Sequence, residues 1–215
     1  MEPLFRVLVV GIVPQPTQVP PASFDREDLQ RIYIDVSRTI PYAQFGFLPA
    51  DQGAQFLNPP EDRVMIQPVL LQVSTPVEST ANLAREKVLK VLSVATERLK
   101  LPQFLQCGIK VIAHVAAPTG GAKEFVTSRL MGSQAERLGE LGPDFFGGGV
   151  KFRAIDEARH DVLLVEPFVA DDSYIWVDYD VNRTGPFPGL DSLGTWIDDA
   201  FDFVRHNTMT ILKEA

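Results

Sequence analysis

Three histidines, His114, His160 and His206, are the side chains of this 215-residue chain best suited to move protons near neutral pH. No HxxxH or HExxH spacing links them, so no helical pair of zinc ligands is encoded. On strand alternation His114 shares a face with Lys110, opposite Cys107, and His160 shares one with Glu166. A later alternating run sets Trp176, Asp178 and Asp180 against Ile175, Val177, Tyr179 and Val181. If these strands are neighbours, His114, His160, Glu166, Asp178 and Asp180 converge on one sheet face. A histidine beside carboxylates there would act as a general base or ligate a divalent metal. His114, His160 and Glu166 are the candidate catalytic residues of that reading, a metal-assisted or acid–base hydrolase. The competing reading makes all of them polar residues of a solvated sheet face, with His206 exposed on the last helix. On it, Trp176, Asp178 and Asp180 are the candidate partner-binding residues, an acidic face with one aromatic that suits a basic or polar partner.

Other chemistry-bearing segments are weaker. Pro118-Thr119-Gly120-Gly121-Ala122-Lys123 lies between a strand and a helix, where amides can cradle an anion, but it lacks the spacing of a phosphate-binding P-loop. Gly147-Gly148-Gly149 has no dinucleotide-binding pattern and reads as a hinge. No GxSxG serine-hydrolase signature occurs. Cys107, the lone cysteine, sits on an apolar alternation and is expected to be a buried, inert thiol. No cofactor and no metal centre is expected from these motifs, and they name no small-molecule ligand.

Charge narrows the partners. The chain carries 20 basic and 28 acidic residues, net -8, and between Asp156 and Asp202 the only basic residues are Arg159 and Arg183. That field repels phosphate backbones and anionic lipid, so nucleic acid and membrane surfaces are disfavoured. A two-halved saddle binding nucleic acid would need a basic face. The apolar stretches are strand-sized, Met1-Glu2-Pro3 lacks the positive region of a secretory signal, and a single cysteine builds no intramolecular disulfide. A soluble cytoplasmic protein is expected.

The elements that must position these residues follow from periodicity. Leu4 to Val13 is a near-continuous apolar strand, expected to be covered on both faces, and Pro14 to Pro21 a rigid loop. Asp25 caps a helix running to about Thr39, with Leu29, Ile32, Val36 and Ile40 on one face. Tyr42 to Leu48, Ala54 to Leu57 and Arg63 to Thr75 read as three strands of an antiparallel meander, and Glu78 to Leu99 as an amphipathic helix. The second part repeats the order: a strand from Phe104 to Ala117, a helix from about Ala122 to Leu138, and a glycine-rich connection from Gly139 to Gly149. Strands at Val150 to Ile155, Asp161 to Phe168 and Tyr174 to Val181 come next. A long closing helix, capped by Asp191 or Ser192, carries Leu193, Ile197, Ala200, Val204, Thr208 and Ile211 on one stripe. The fold class is therefore α+β, a mainly antiparallel sheet backed by helices. Residues 1–215 form a single domain, with halves 1–103 and 104–215 compatible with a duplicated β-α-β-β-β-α unit related by a pseudo-twofold.

The stretch from Gln106 to His114, followed by Pro118, the strand from Trp176 to Val181 and the closing segment from Leu193 to Leu212 resemble a sporadically distributed family of uncharacterised bacterial proteins. The likeness rests on Gly108 and Lys110, on Asp178 and Asp180, and on Phe201 to Thr210. It covers roughly the second half; the first is similar only in element order and in its Pro3-Leu4-Phe5 opening. Ala113-His114 replaces a more polar pair, and the chain is shorter. The resemblance implies no activity. The expected function is accordingly a non-enzymatic binding or assembly protein that acts through a sheet face on a protein partner or by self-association as a homo-oligomer, with the hydrolase as the alternative.

Overall fold

The structure is a computed structural model that describes residues 2–16, 23–49, 52–118, 120–132 and 148–214. Much of the expected Pro14 to Pro21 loop, the glycine-rich connection up to Gly147 and the end of the helix expected to reach Leu138 lie outside the described residues.

Among the described residues nine antiparallel strands form one sheet: β1 (Pro3–Pro14), β2 (Gln44–Phe47), β3 (Ala54–Asn58), β4 (Asp62–Gln67), β5 (Leu70–Pro76), β6 (Gln103–Ala116), β7 (Val150–Ile155), β8 (Arg159–Pro167) and β9 (Tyr174–Pro188). Their spatial order is β2-β3-β4-β5-β1-β6-β9-β8-β7. The opening strands of the two halves, β1 and β6, therefore lie side by side at the centre. Each is flanked by the last strand of its own half, and each half then steps outwards to its own edge. The α+β class with an antiparallel sheet is what the alternation pattern led to.

Helices α1 (Arg26–Ser37) and α2 (Ala81–Arg98) belong to the first half. Asp25 accepts from Glu27 N at the start of α1, and Thr80 accepts from Leu83 N at the start of α2, each side chain satisfying an amide that the first turn leaves free. Leu29, Ile32 and Val36 of α1, with Ala84, Val88, Val91, Leu92 and Ala95 of α2, join Leu8, Val10 and Ile12 of β1 and Ile109, Val111 and Ala113 of β6 in one core. The second half supplies α3 (Ala122–Phe125) with a π-helical turn (Val126–Met131), then α4 (Leu193–Asp202), a second π-helical turn (Phe203–Thr208) and α5 (Met209–Glu214). Arg85 ties α2 to α4, donating to Gly194 O at 3.2 Å and pairing with Asp198 at 3.1 Å. No helix among the described residues is long and apolar enough to cross a membrane.

Three expectations are corrected. The run from Arg63 to Thr75 is two strands, β4 and β5, joined by a tight turn at Pro68 and Val69, so among the described residues the first half has one strand more than the second. Among the described residues β1 is covered on one face only: Leu8, Val10 and Ile12 are buried, whereas Val9, Gly11 and Val13 are partly exposed on the side where no described helix packs. In the closing helix the π-helical turn inserts extra chain per turn, so the apolar stripe advances by one position and Leu212, not Ile211, is buried.

Candidate functional site

The face that carries no helix among the described residues is built in rows by the ladder of β6, β9 and β8. His114 pairs with Trp176, which pairs with Glu166; Ile112, Asp178 and Leu164 form the next row; Lys110, Asp180 and Val162 the third; Gly108, Asn182 and His160 the fourth. On the opposite side of β9, Ile175, Val177, Tyr179 and Val181 are all buried. All five candidate residues, His114, His160, Glu166, Asp178 and Asp180, thus stand on one sheet face with Trp176.

They do not form one cluster. The first and fourth rows are six residues apart along β9, about 20 Å at the usual strand rise, so His114 and His160 cannot share a metal or a proton. Among the described residues no hydrogen bond joins either histidine to a carboxylate, and no group of three ligating side chains could hold a metal ion. His114 is instead packed by rings, with Phe168 at 4.3 Å, Trp176 at 5.3 Å and Tyr174 at 5.8 Å between centroids. Its Nε2 is buried without a hydrogen-bond partner. Burial first, and then the Arg6 guanidinium, hold the His114 imidazole below its ordinary pKa, so it is neutral at pH 7. His160 Nε2 is likewise buried and unpartnered.

The charged centre of the face is Lys110, Asp178 and Asp180. Lys110 Nζ lies 3.0 Å from Asp178 Oδ2, and Asn182 donates to Asp180 Oδ1 at 2.9 Å. Lys110 is thus paired with Asp178, and the hydrogen bond that Asp180 receives comes from a neutral amide. Burial holds the Asp180 carboxyl above its ordinary range, Lys110 pulling it back and Asp178 pushing it further up. The acidic strip is local, since Lys151 and Arg153 on β7 and Arg63 on β4 stand on the same side of the sheet by their registers.

Beside this strip the face is hollowed. Gly11 of β1 and Gly108 of β6 are paired in register, and the row they occupy runs Gln72, Gly11, Gly108, Asn182. Two missing side chains leave a trough of about 440 Å³, bounded by Val9, Lys110 and Asp180 at one end and Val13 and Gln106 at the other. A Cβ at Gly108 would come within 2.8 Å of Asn182 Oδ1. Strand glycines of this kind mark places where another molecule can approach the backbone.

The remaining sequence candidates are accounted for by the packing. The amides at the start of α3 are occupied by Asp172, whose carbonyl accepts from Ala122 N and whose Oδ1 accepts from Lys123 N, both at 2.8 Å. Cys107 is 2% exposed, and burial pushes its thiol up to about 12 despite the nearby Arg183. His206 is exposed.

One cluster escaped the sequence reading. Asp62, at the start of β4, receives Lys87 Nζ at 2.5 Å, Asn58 Nδ2 at 3.2 Å and Tyr42 Oη at 3.4 Å, at the back of a cleft of about 540 Å³ walled by Pro41, Pro59, Pro60 and Pro76. These residues come from four separate segments, and only Asn58 and Asp62 stand close in sequence, inside a stretch whose composition signals nothing but a turn. No spacing rule could have joined them. No protein-family model matches the chain, and comparison with curated protein sequences gave no match.

Proposed function

We propose that this protein is a non-enzymatic binding or assembly protein of the cytoplasm, and that it engages a protein partner, or a second copy of itself, through the sheet face around Trp176, Asp178 and Asp180, which no described helix covers. The observation that carries the reading is the one-sided sheet: nine strands with one core on one side, and on the other a charged centre that is one positive charge short. A partner bearing basic groups supplies that charge, while Trp176 and the rings about His114 offer apolar contact beside it. The free, buried Cys107 suits a reducing compartment.

A photoreactive residue at Gln106, exposed on this face, and another at Lys90, exposed on α2, test the proposal in cells. Crosslinked product is expected from position 106 and not from position 90, and Asp178→Asn with Asp180→Asn should lower its yield at least about fivefold. Product at twice the chain mass identifies self-association, and a larger discrete species a different partner. Equal yield from both positions, or no effect of the double substitution, would overturn the assignment.

A further inference from the structure

We infer that the trough over Gly11 and Gly108 is a binding site for a cationic group, a guanidinium or an alkylammonium, with Asp180 as its counter-ion. The inference rests on the proposed role of this face and names the chemistry recognised there.

The paired glycines set the shape. Between the side chains of Gln72 and Asn182 the row spans three strand spacings, about 14 Å between Cα atoms, and its middle carries no side chain of its own: Leu70 Cδ1 edges the space over Gly11, at 3.3 Å from where a Cβ would stand, and Asn182 Oδ1 edges that over Gly108, at 2.8 Å. A planar guanidinium or an extended aliphatic chain can lie flat there, and any larger residue at position 108 would first have to displace Asn182.

The walls set the charge. Lys110, which stands directly across the ladder from Asp180, is hydrogen-bonded to Asp178, and the hydrogen bond given to Asp180 comes from the neutral Asn182. An ionised carboxylate offers about four acceptor positions, so Asp180 retains capacity on the trough side. Burial already disfavours its charge, which a bound cation would compensate. Gln72 and Gln106 bring side-chain carbonyls that accept N–H donors, and Val9, Val13 and Leu70 line the remainder with hydrocarbon suited to the stem of an arginine or lysine-like ligand. Among the described residues lining the trough the cation is Lys110, already paired with Asp178, so an anion would meet Asp180 there instead. A metal ion would find one carboxylate where several hard oxygen ligands are needed.

Two probes separate the sources of such a group: agmatine, a free amine with a guanidinium, and the blocked peptide N-acetyl-Ala-Arg-Ala-amide. Each is titrated into the full chain while backbone amide resonances are followed. Shifts at Gly11, Gly108 and Asn182 are expected. Asp180→Asn should weaken the tighter probe at least about tenfold, because a charge-assisted contact becomes a neutral one, and Lys110→Met should strengthen it by removing the competing ammonium. Tighter binding of the peptide assigns the site to a side chain of a protein partner, and tighter binding of agmatine to a free amine; either supports the site. Absence of shifts with both probes, or an unchanged affinity in Asp180→Asn, would overturn it. Crosslinking from Gln106 that persists in that case would retain the partner face and remove only the cation site.

Discussion

Lys110 reaches diagonally to Asp178, 3.0 Å away, although the residue directly across the ladder from it is Asp180. The diagonal choice leaves the second carboxylate facing the trough with an amide for company. In an antiparallel pair the diagonal neighbour is within reach of a long side chain, so the ladder permits both pairings and the side chain selects one.

Lys110→Met should therefore be mild in stability. The pair is partly exposed, Lys110 at 36% and Asp178 at 19%, and such pairs contribute about 0.5 kcal/mol. Urea denaturation at pH 7 checks this; a loss several times larger would mean the lysine supports the sheet itself.

Asp180→Asn should stabilise the protein at neutral pH. The folded state holds the Asp180 proton more tightly than the unfolded chain, whose carboxyl sits near 3.8. The stability this group contributes is fully present below that value and is lost as pH rises through the higher folded value. The variant should therefore melt above its parent at pH 7 and together with it near pH 3. A parent that melts higher at pH 7 would contradict the sign.

Tyr179→Phe should cost about 1–2 kcal/mol. Its ring is buried and stacks on Phe203 at 4.2 Å, while its hydroxyl donates to Asp161 Oδ2 at 2.9 Å and accepts from Arg159 at 3.0 Å. Burial and the Asp161 carboxylate push this phenol up to about 12. Chemical denaturation gives the cost, and the sheet-face binding predicted above should be unchanged because Tyr179 points to the opposite side.

Lys87→Met should destabilise far more than Lys110→Met, by about 3 kcal/mol, since it strands the Asp62 carboxylate at 9% side-chain exposure. Adding Asp62→Asn should recover much of the loss. If the double variant is no more stable than the single one, Lys87 acts through its packing on Tyr42 rather than through its charge.

Cys107 should resist a thiol reagent at pH 8 in the folded protein and react stoichiometrically once the chain is unfolded in guanidinium. Fast labelling of the native state would show an access path through the cavity of about 170 Å³ that it lines with Phe187 and Trp196.

Much of the face assignment was legible because strand period is strictly two. Alternation in β6 and β9 put Cys107, Ile109, Val177 and Tyr179 inside and Lys110, His114, Asp178 and Asp180 outside, which is where they stand. The turn at Pro68 and Val69 was not legible, as it carries no glycine or asparagine and an exposed Val69 reads as one more strand residue. Nor was the open side of β1: Val9 and Val13 look like core residues until Gly11 is found paired with Gly108.

The amino-acid sequence by itself determined the kinds of element, the single core and the side of each strand on which every candidate residue sits, since these follow from local periodicity and capping. Tertiary structure alone decided the rest. Register between strands distant in sequence separated His114 from His160, joined Lys110 to Asp178, opposed two glycines to open a trough, and gathered Tyr42, Asn58, Asp62 and Lys87. Side-chain alternation repeats every two residues and so cannot say which row of one strand meets which row of the next; that choice is made by the packing of the whole sheet against its helices.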